Sequence, residues 1–332
     1  MEILEILAQG RNLSEAQALE AFRALYDGTM PPSCAGAFLM GLKTKGETAL
    51  EIACGVAAAL EQARLVENLA GDRIDTCGTG GDNTCSFNCS TVVALYLAAL
   101  GHKVVKHGNR AVSSACGSAD VIEALGMQLT VEPGAVEHEL AARNFVFLFA
   151  PNFHPAFSRI MPIRRELGAR TLFNLMGPLL NPARPTHQLL GVPLSRFVPL
   201  MAETLALTGL KRGAVVHGAG GFDEITPFGP ADLVWVREGW TRKDTFDPEK
   251  YGFPRRQPAD VVVGGKAEAV AVARGLLAGK GPAAMKDMVA LNLGVALHLL
   301  EEGLSLDQAL DKAKTALAEG AAAKVFAETG HA

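Results

Sequence analysis

The segment DTCGTGGDNTCSFNCST, residues 75–91, continues from DRIDT, a short strand candidate, and leads straight into the helical pattern STVVALYLAALG. Strand, glycine loop and helix in that order turn bare backbone amides and a helix N-terminus toward one point, an arrangement suited to an anion. The loop is neither of the familiar nucleotide signatures. No Gly-Lys-Ser/Thr closes it, and Asn83 stands at the third glycine position of GxGxxG. A tight structural turn explains the stretch equally well, and Ser90 and Thr91 read most simply as helix N-caps.

The rest of the chain extends the alternation. HKVVK, NFVFLFA, RGAVVHG and ADLVWVREG read as strands, while SADVIEALG and FVPLMAETLALTG read as helices. That pattern predicts an α/β fold with a parallel or mixed sheet flanked by helices. Residues 1–64 read as helical throughout. Ser14 with Gln17 forms a capping box, Gly28 and Gly46 stop the first runs, and ETALEIACGVAAALEQA is rich in small side chains. Such a block either covers a core or forms a dimer face. Residues 237–260 are polar and proline-bearing, a loop excursion or small hairpin. From Pro282 onward the chain reads as helical, with a second capping box at Ser305 and Gln308.

At 332 residues, 49% hydrophobic and 20% charged, the chain can bury a substantial core and suggests roughly two domains. A net charge of -4 gives no electrostatic case for nucleic acid. MEILEILAQG lacks the basic start of a signal peptide. No apolar run approaches the ~18 residues that span a bilayer, so no membrane role is expected. Cys34, Cys54, Cys77, Cys85, Cys89 and Cys116 form no disulfide frame and read as reduced thiols in the cytoplasm. The four near the loops lack the paired spacing of structural zinc and read as packing behind the loop.

A second loop, KHGNRAVSSACGS, also leaves a strand and opens a helix, bringing Lys106, Arg110, Ser113, Ser114 and Ser118. Ligands of open α/β sheets bind outside the carboxyl ends of the strands, so two such loops suit a ligand with more than one anionic group. Asp223 and Glu224 follow another strand. Two adjacent carboxylates repel a phosphate unless a divalent cation lies between, and Mg²⁺ favours that mixture of oxygens. Asp-Glu pairs also occur in plain loops. His107 and His154 read as hydrogen-bonding fixtures or as general bases.

DTCGTGGD, KHGNRAVSS with GSADVIEALG, and APNFHPAFSRIMPIRRELGARTLFNLMGPLLNPA together resemble anthranilate phosphoribosyltransferases, and the resemblance runs over essentially the whole chain. It implies a small N-terminal α-helical domain plus a larger α/β domain with a central, mostly parallel sheet flanked by helices. The helical part would span residues 1–70, with a contribution from about 160–185, and the phosphoribosyl pyrophosphate-binding part residues 71–332. A homodimer through the helical part is implied as well.

The resemblance also implies roles. Gly78, Gly81 and Asp82 would hold the diphosphate of phosphoribosyl pyrophosphate. Ser86, Asn88, Cys89, Ser90 and Thr91 would meet phosphate and ribose at the helix mouth. Lys106, His107, Gly108, Asn109 and Arg110, then Ala111, Val112, Ser113, Ser114 and Ser118, would complete the cage. Ser90, Asp223 and Glu224 would hold Mg²⁺, two ions bridged by Glu224. Gly78, Asn109 and Arg164 would take anthranilate, with Lys106, Asn109 and Arg164 as the catalytic set. A guanidinium suits the carboxylate of that substrate because it pairs with both oxygens. Asn83, Ser86, Cys89 and Phe157 depart from the family pattern without removing a charged participant. A pyrimidine nucleoside phosphorylase, or a nucleic-acid-binding relative of the same fold, stands as the alternative.

Overall fold

A computed structural model of the chain describes residues 2–81, 84–110, 116–129, 132–237 and 239–323. Four helices come first: α1 (Glu2–Ala8), α2 (Glu15–Asp27), α3 (Pro32–Lys45) and α4 (Ala49–Glu61). Ser14 and Gln17 form the expected capping box at α2, and Gly28 ends it with a left-handed φ of 79°. Phe22, Tyr26 and Phe38 are fully buried between these helices. The Phe22 and Phe38 rings meet edge to face at 5.1 Å. Full burial of rings of this size contributes about 1.5–3 kcal/mol each. Glu51 is buried too, but Lys45, the Leu13 amide and the Thr48 amide all donate to its carboxylate.

The α/β part then begins. In chain order it comprises β1 (Arg73–Gly78), α5 (Cys89–Ala99), β2 (Lys103–Gly108), α6 (Ser118–Ala124), α7 (Val136–Arg143), β3 (Phe145–Phe149), and the helices α8 (Ala150–Phe153), α9 (Phe157–Leu167) and α10 (Phe173–Met176). After these come β4 (His187–Gly191), α11 (Phe197–Leu207), β5 (Arg212–His217), β6 (Ala231–Arg237), β7 (Trp240–Phe246), α12 (Lys266–Leu277), α13 (Ala283–Leu300) and α14 (Leu306–Ala318). The strands make one seven-stranded sheet in the order β3-β2-β1-β4-β5-β6-β7. The first five run parallel; β6 and β7 are antiparallel. The polar stretch after Arg237 therefore opens with a hairpin strand.

One core lies between the sheet and α5, α12, α13 and α14. A second joins the N-terminal helices to α9, α10, α11 and the other sheet face, through Leu190, Val192 and Val215. α13 corrects an expectation. At 18 residues it is long and apolar enough to cross a membrane, yet 72% of it is buried inside the protein. It is a core helix, wrapped by apolar side chains on nearly every side.

Chain order reverses at one place in the sheet. β1 and β4 are neighbours, with β2 and β3 beyond the first and β5 beyond the second. Gly78 and Gly191 are register partners at the carboxyl ends of that central pair. A doubly wound sheet opens its ligand crevice at this kind of reversal.

Candidate active site

The glycine loop leaves β1 at Gly78, and the segment carrying Asp223 and Glu224 is laid flush across the strand ends. A Cβ on Gly78 would lie 2.1 Å from Asp223 Oδ2. On Gly191 it would lie 1.5 Å from the Asp223 carbonyl oxygen, and on Gly218 1.9 Å from that of Glu224. No other residue type allows so close an approach. The Gly80 amide donates to Asp223 Oδ2 at 3.0 Å, and Gly80 and Gly81 both take left-handed φ values, 68° and 79°. The two loops that the sequence set apart are therefore one structure.

Lys106 enters from β2. Its side chain is buried, and Nζ donates to the Thr76 carbonyl at 2.6 Å and to Ser90 Oγ at 3.3 Å. The lysine thus braces the root of the glycine loop and the first turn of α5. Burial pulls its pKa down, while Asp75, Cys77 and Glu224 push it back up. Asp75, fully buried, has its pKa raised to about 6 by burial, with Lys106 and Asn181 acting against that rise. Asn181 donates to Asp75 Oδ2 at 2.8 Å and to the Val105 carbonyl at 2.6 Å, which ties β1 to β2. Neither residue was singled out from the sequence. Asp75 sits within an ordinary alternating strand, and Asn181 within a proline-rich turn.

The helix mouth departs from expectation. Asn88, not Ser90 or Thr91, is the N-cap of α5, and its side chain does not cap the helix but donates to the Cys116 carbonyl at 3.1 Å. Ser90 and Thr91 fall inside the first turn because the chain reaches helical geometry at Cys89. Cys89 itself is buried in the core, and burial raises its thiol pKa well above the ordinary value. All six thiols are free. Ser86 bridges to Val262, fixing the far side of the glycine loop.

Several polar atoms here are buried with no hydrogen-bond partner among the described residues: Thr79 Oγ1, Asn88 Oδ1, Thr91 Oγ1 and His107 Nε2. Buried polar atoms are nearly always paired. Four orphans around two loops mark a place built for a polar ligand.

From the end of β2 an aromatic tract leads away. His107 and His154 meet at 5.2 Å, His154 and Phe157 at 5.6 Å, and Phe157 and Phe173 at 5.6 Å. Arg164 of α9 stacks over Phe173 at 5.1 Å. Burial keeps both imidazoles uncharged, with His154 lowered to about 4 and His107 well below its ordinary value. Arg164 is half-buried at the far end of this tract.

Gly108 leaves no room for a side chain against Ser118 Oγ and Phe147, and Ser118 opens α6. Asn109 is exposed, with Oδ1 accepting from the Arg110 amide at 2.8 Å. Arg110 is drawn to α6, where Glu123 accepts from Nη2 at 2.9 Å. Arg170, not foreseen, lies against Gly81, 3.3 Å from where a Cβ would stand. Asp82, Ala111, Val112, Ser113 and Ser114 lie outside the described residues.

Asp223, Glu224 and Ser90 offer hard oxygens, and Ser90 Oγ keeps acceptor capacity beside its bond from Lys106. Among the described residues no three His, Cys, Asp or Glu side chains gather as a protein-only cage. Mg²⁺ commonly takes one or two carboxylates and completes its shell with water and substrate phosphate. The residues fit that ion.

Fold and site define a glycosyltransferase with a helical bundle beside an α/β domain. Residues 1–63 match the helical bundle domain of the glycosyl transferase family and residues 70–323 match its a/b domain. More narrowly, the chain belongs to the anthranilate phosphoribosyltransferases. It is 55% identical over 329 residues to the anthranilate phosphoribosyltransferase of Nitratidesulfovibrio vulgaris, covering 98% of this chain and 97% of that one. The crystal structure of the Thermus thermophilus enzyme superimposes with a TM-score of 0.90 at 39% identity, over 99% and 98% of the two chains. The Saccharomyces cerevisiae enzyme in complex with PRPP and Mg follows at 0.87 and 26% identity, over 98% and 95%. These relatives favour this membership over a nucleoside phosphorylase or a nucleic-acid-binding relative.

Proposed function

We propose that the protein transfers the phosphoribosyl group of 5-phosphoribosyl 1-pyrophosphate to anthranilate, giving N-(5-phosphoribosyl)anthranilate and pyrophosphate in tryptophan biosynthesis. The observation that carries this reading is the convergence of the glycine loop, Lys106 and the acid pair at the reversal between β1 and β4. Orphaned polar atoms lie around it and an aromatic tract ends at Arg164.

The chemistry follows from the groups present. The anthranilate nitrogen bonds to ribose C1 while the C1–oxygen bond to pyrophosphate breaks, and the amine proton leaves to solvent. No activated protein nucleophile is needed. Cys89 is buried with a raised pKa, the opposite of an activated thiolate. The residues instead meet the charge that grows on the departing pyrophosphate, with loop amides, the uncapped mouth of α5 and the Lys106 cation. Ser90, Asp223 and Glu224 would hold Mg²⁺, two ions in all, which supplies positive charge to the same leaving group. Asn109 and Arg164 position the acceptor, Arg164 by pairing with its carboxylate. Asp82 and the segment from Ala111 to Ser114 complete the phosphate cage.

The same reading assigns residues 1–70 to a helical domain and 71–332 to the phosphoribosyl pyrophosphate domain, as a homodimer through the helical part in the cytoplasm. The test is the loss of anthranilate fluorescence. Consumption that requires both phosphoribosyl pyrophosphate and Mg²⁺ supports it; consumption of neither substrate contradicts it.

A further inference from the structure

α13 is apolar along most of its length, yet it carries one buried amide at its centre. Asn292 is 3% exposed. Its Oδ1 accepts from the Ile225 amide at 3.0 Å, and its Nδ2 donates to the Ile225 carbonyl at 2.8 Å. The same Nδ2 donates to the Met288 carbonyl at 2.8 Å, which fixes the side chain to its own helix. The side chain thus grips both polar backbone groups of the residue that directly follows Asp223 and Glu224. A strand neighbour would hold it in the same way, but here a rigid core helix does it.

The grip works against a wall. Gly191 and Gly218 let the Asp223 and Glu224 carbonyls rest on the ends of β4 and β5 with no space for a Cβ. Asn292 holds the segment from the side of α13, so the acid pair is fixed between strand ends and a helix. Asn292, Ser90, Asp223 and Glu224 line a shared gap of ≈ 10 Å³, about the room of one water. A burial cost falls on any amide in such a core, and full hydrogen bonding is what offsets it.

We propose that Asn292 is a positioning residue for the Asp223–Glu224 pair and sets the affinity of the site for the Mg²⁺ complex of phosphoribosyl pyrophosphate. This rests on the function proposed above. Partners that orient metal ligands from behind typically cost ~10–100-fold in metal affinity or activity when removed.

The test compares Asn292→Ala and Asn292→Asp with Leu297→Ala, a core truncation on the same helix away from the acid segment. Leu297 is fully buried. The half-saturating Mg²⁺ concentration is read from steady-state rates, and binding of phosphoribosyl pyrophosphate with and without Mg²⁺ is read by calorimetry without anthranilate. Both Asn292 variants are expected to raise the Mg²⁺ requirement at least ~10-fold. They weaken calorimetric binding only when Mg²⁺ is present and leave the anthranilate KM unchanged. Leu297→Ala is expected to lower thermal stability and keep the wild-type Mg²⁺ requirement. Should Asn292→Ala not fold, Asn292→Asp carries the test, since it keeps the shape and loses the donated bonds. A lower melting temperature with an unchanged Mg²⁺ requirement overturns the proposal, as does an equal shift in Leu297→Ala. A wild-type protein that neither turns over anthranilate nor binds phosphoribosyl pyrophosphate defeats the proposed function instead.

Discussion

The Gly80 amide donates to Asp223 Oδ2 at 3.0 Å, joining residues 143 positions apart in the chain. That bond makes the glycine loop and the acid pair a single object, and the glycines beneath it explain why the two can touch. Gly78→Ala places a methyl group 2.1 Å from Asp223 Oδ2, too close for the carboxylate to stay where it is. Turnover is expected to fall ~100-fold from displacement of the carboxylate and loop. Circular dichroism should report a folded protein; near wild-type turnover contradicts the account.

Lys106 has a different signature. Its loss unties Thr76 and Ser90 and, on the function proposed above, would remove charge near the leaving group. Lys106→Ala should lower turnover by ~10²-fold or more, with little change in the anthranilate KM. It also removes the nearby positive charge that holds the buried Asp75 carboxyl down, and leaves the Thr76 carbonyl without its buried donor, at a cost of about 1–3 kcal/mol. Denaturant titration checks the stability, and an unchanged turnover number removes Lys106 from the mechanism.

On the function proposed above, Arg164 would act on the acceptor side. Arg164→Ala should raise the anthranilate KM ~10-fold or more, because a charged hydrogen bond to the carboxylate is lost. Binding of phosphoribosyl pyrophosphate, measured by calorimetry without anthranilate, should be unaffected. A matching loss there would place Arg164 elsewhere in the site.

Acid should weaken the fold. Burial lowers His154 and His187 from 6.5 to about 4. Unfolded imidazoles take protons first, so their contribution is complete above pH 6.5 and is lost as pH falls through about 4. Asp75 runs the other way. Raised from 3.8 to about 6 chiefly by burial, its contribution is complete below 3.8 and is lost as pH rises through about 6. His107, shifted the same way, adds to these two, and together they outweigh one aspartate, so stability should drop by at least about 3 kcal/mol between pH 6.5 and 4. Denaturant midpoints across that window check it; a constant or rising midpoint contradicts it.

Much of this was legible in the sequence, and the rest was hidden for physical reasons. The glycine loop, the Lys106 loop and Asp223–Glu224 carry local signatures, because backbone conformation and charge are properties of short stretches. β4 was not foreseen: HQLLG is only five residues, starts polar and lies buried on both faces, so it has no alternation. The start of α5 was misplaced because Asn88 spends its side chain on Cys116 rather than on the helix. Asp75, Asn181 and Asn292 act across long sequence separations, and nothing near them in the chain announces their partners. α13 looked unremarkable as a run because Lys286, Asp287 and Asn292 interrupt it, although the whole helix is core.

A crystal structure with phosphoribosyl pyrophosphate and Mg²⁺ is the most direct measurement. The account predicts the diphosphate against the amides of Gly78–Gly81 and the mouth of α5, with cation density between it and Asp223 and Glu224. A diphosphate bound away from the β1–β4 reversal, with the acid pair bare, would contradict it.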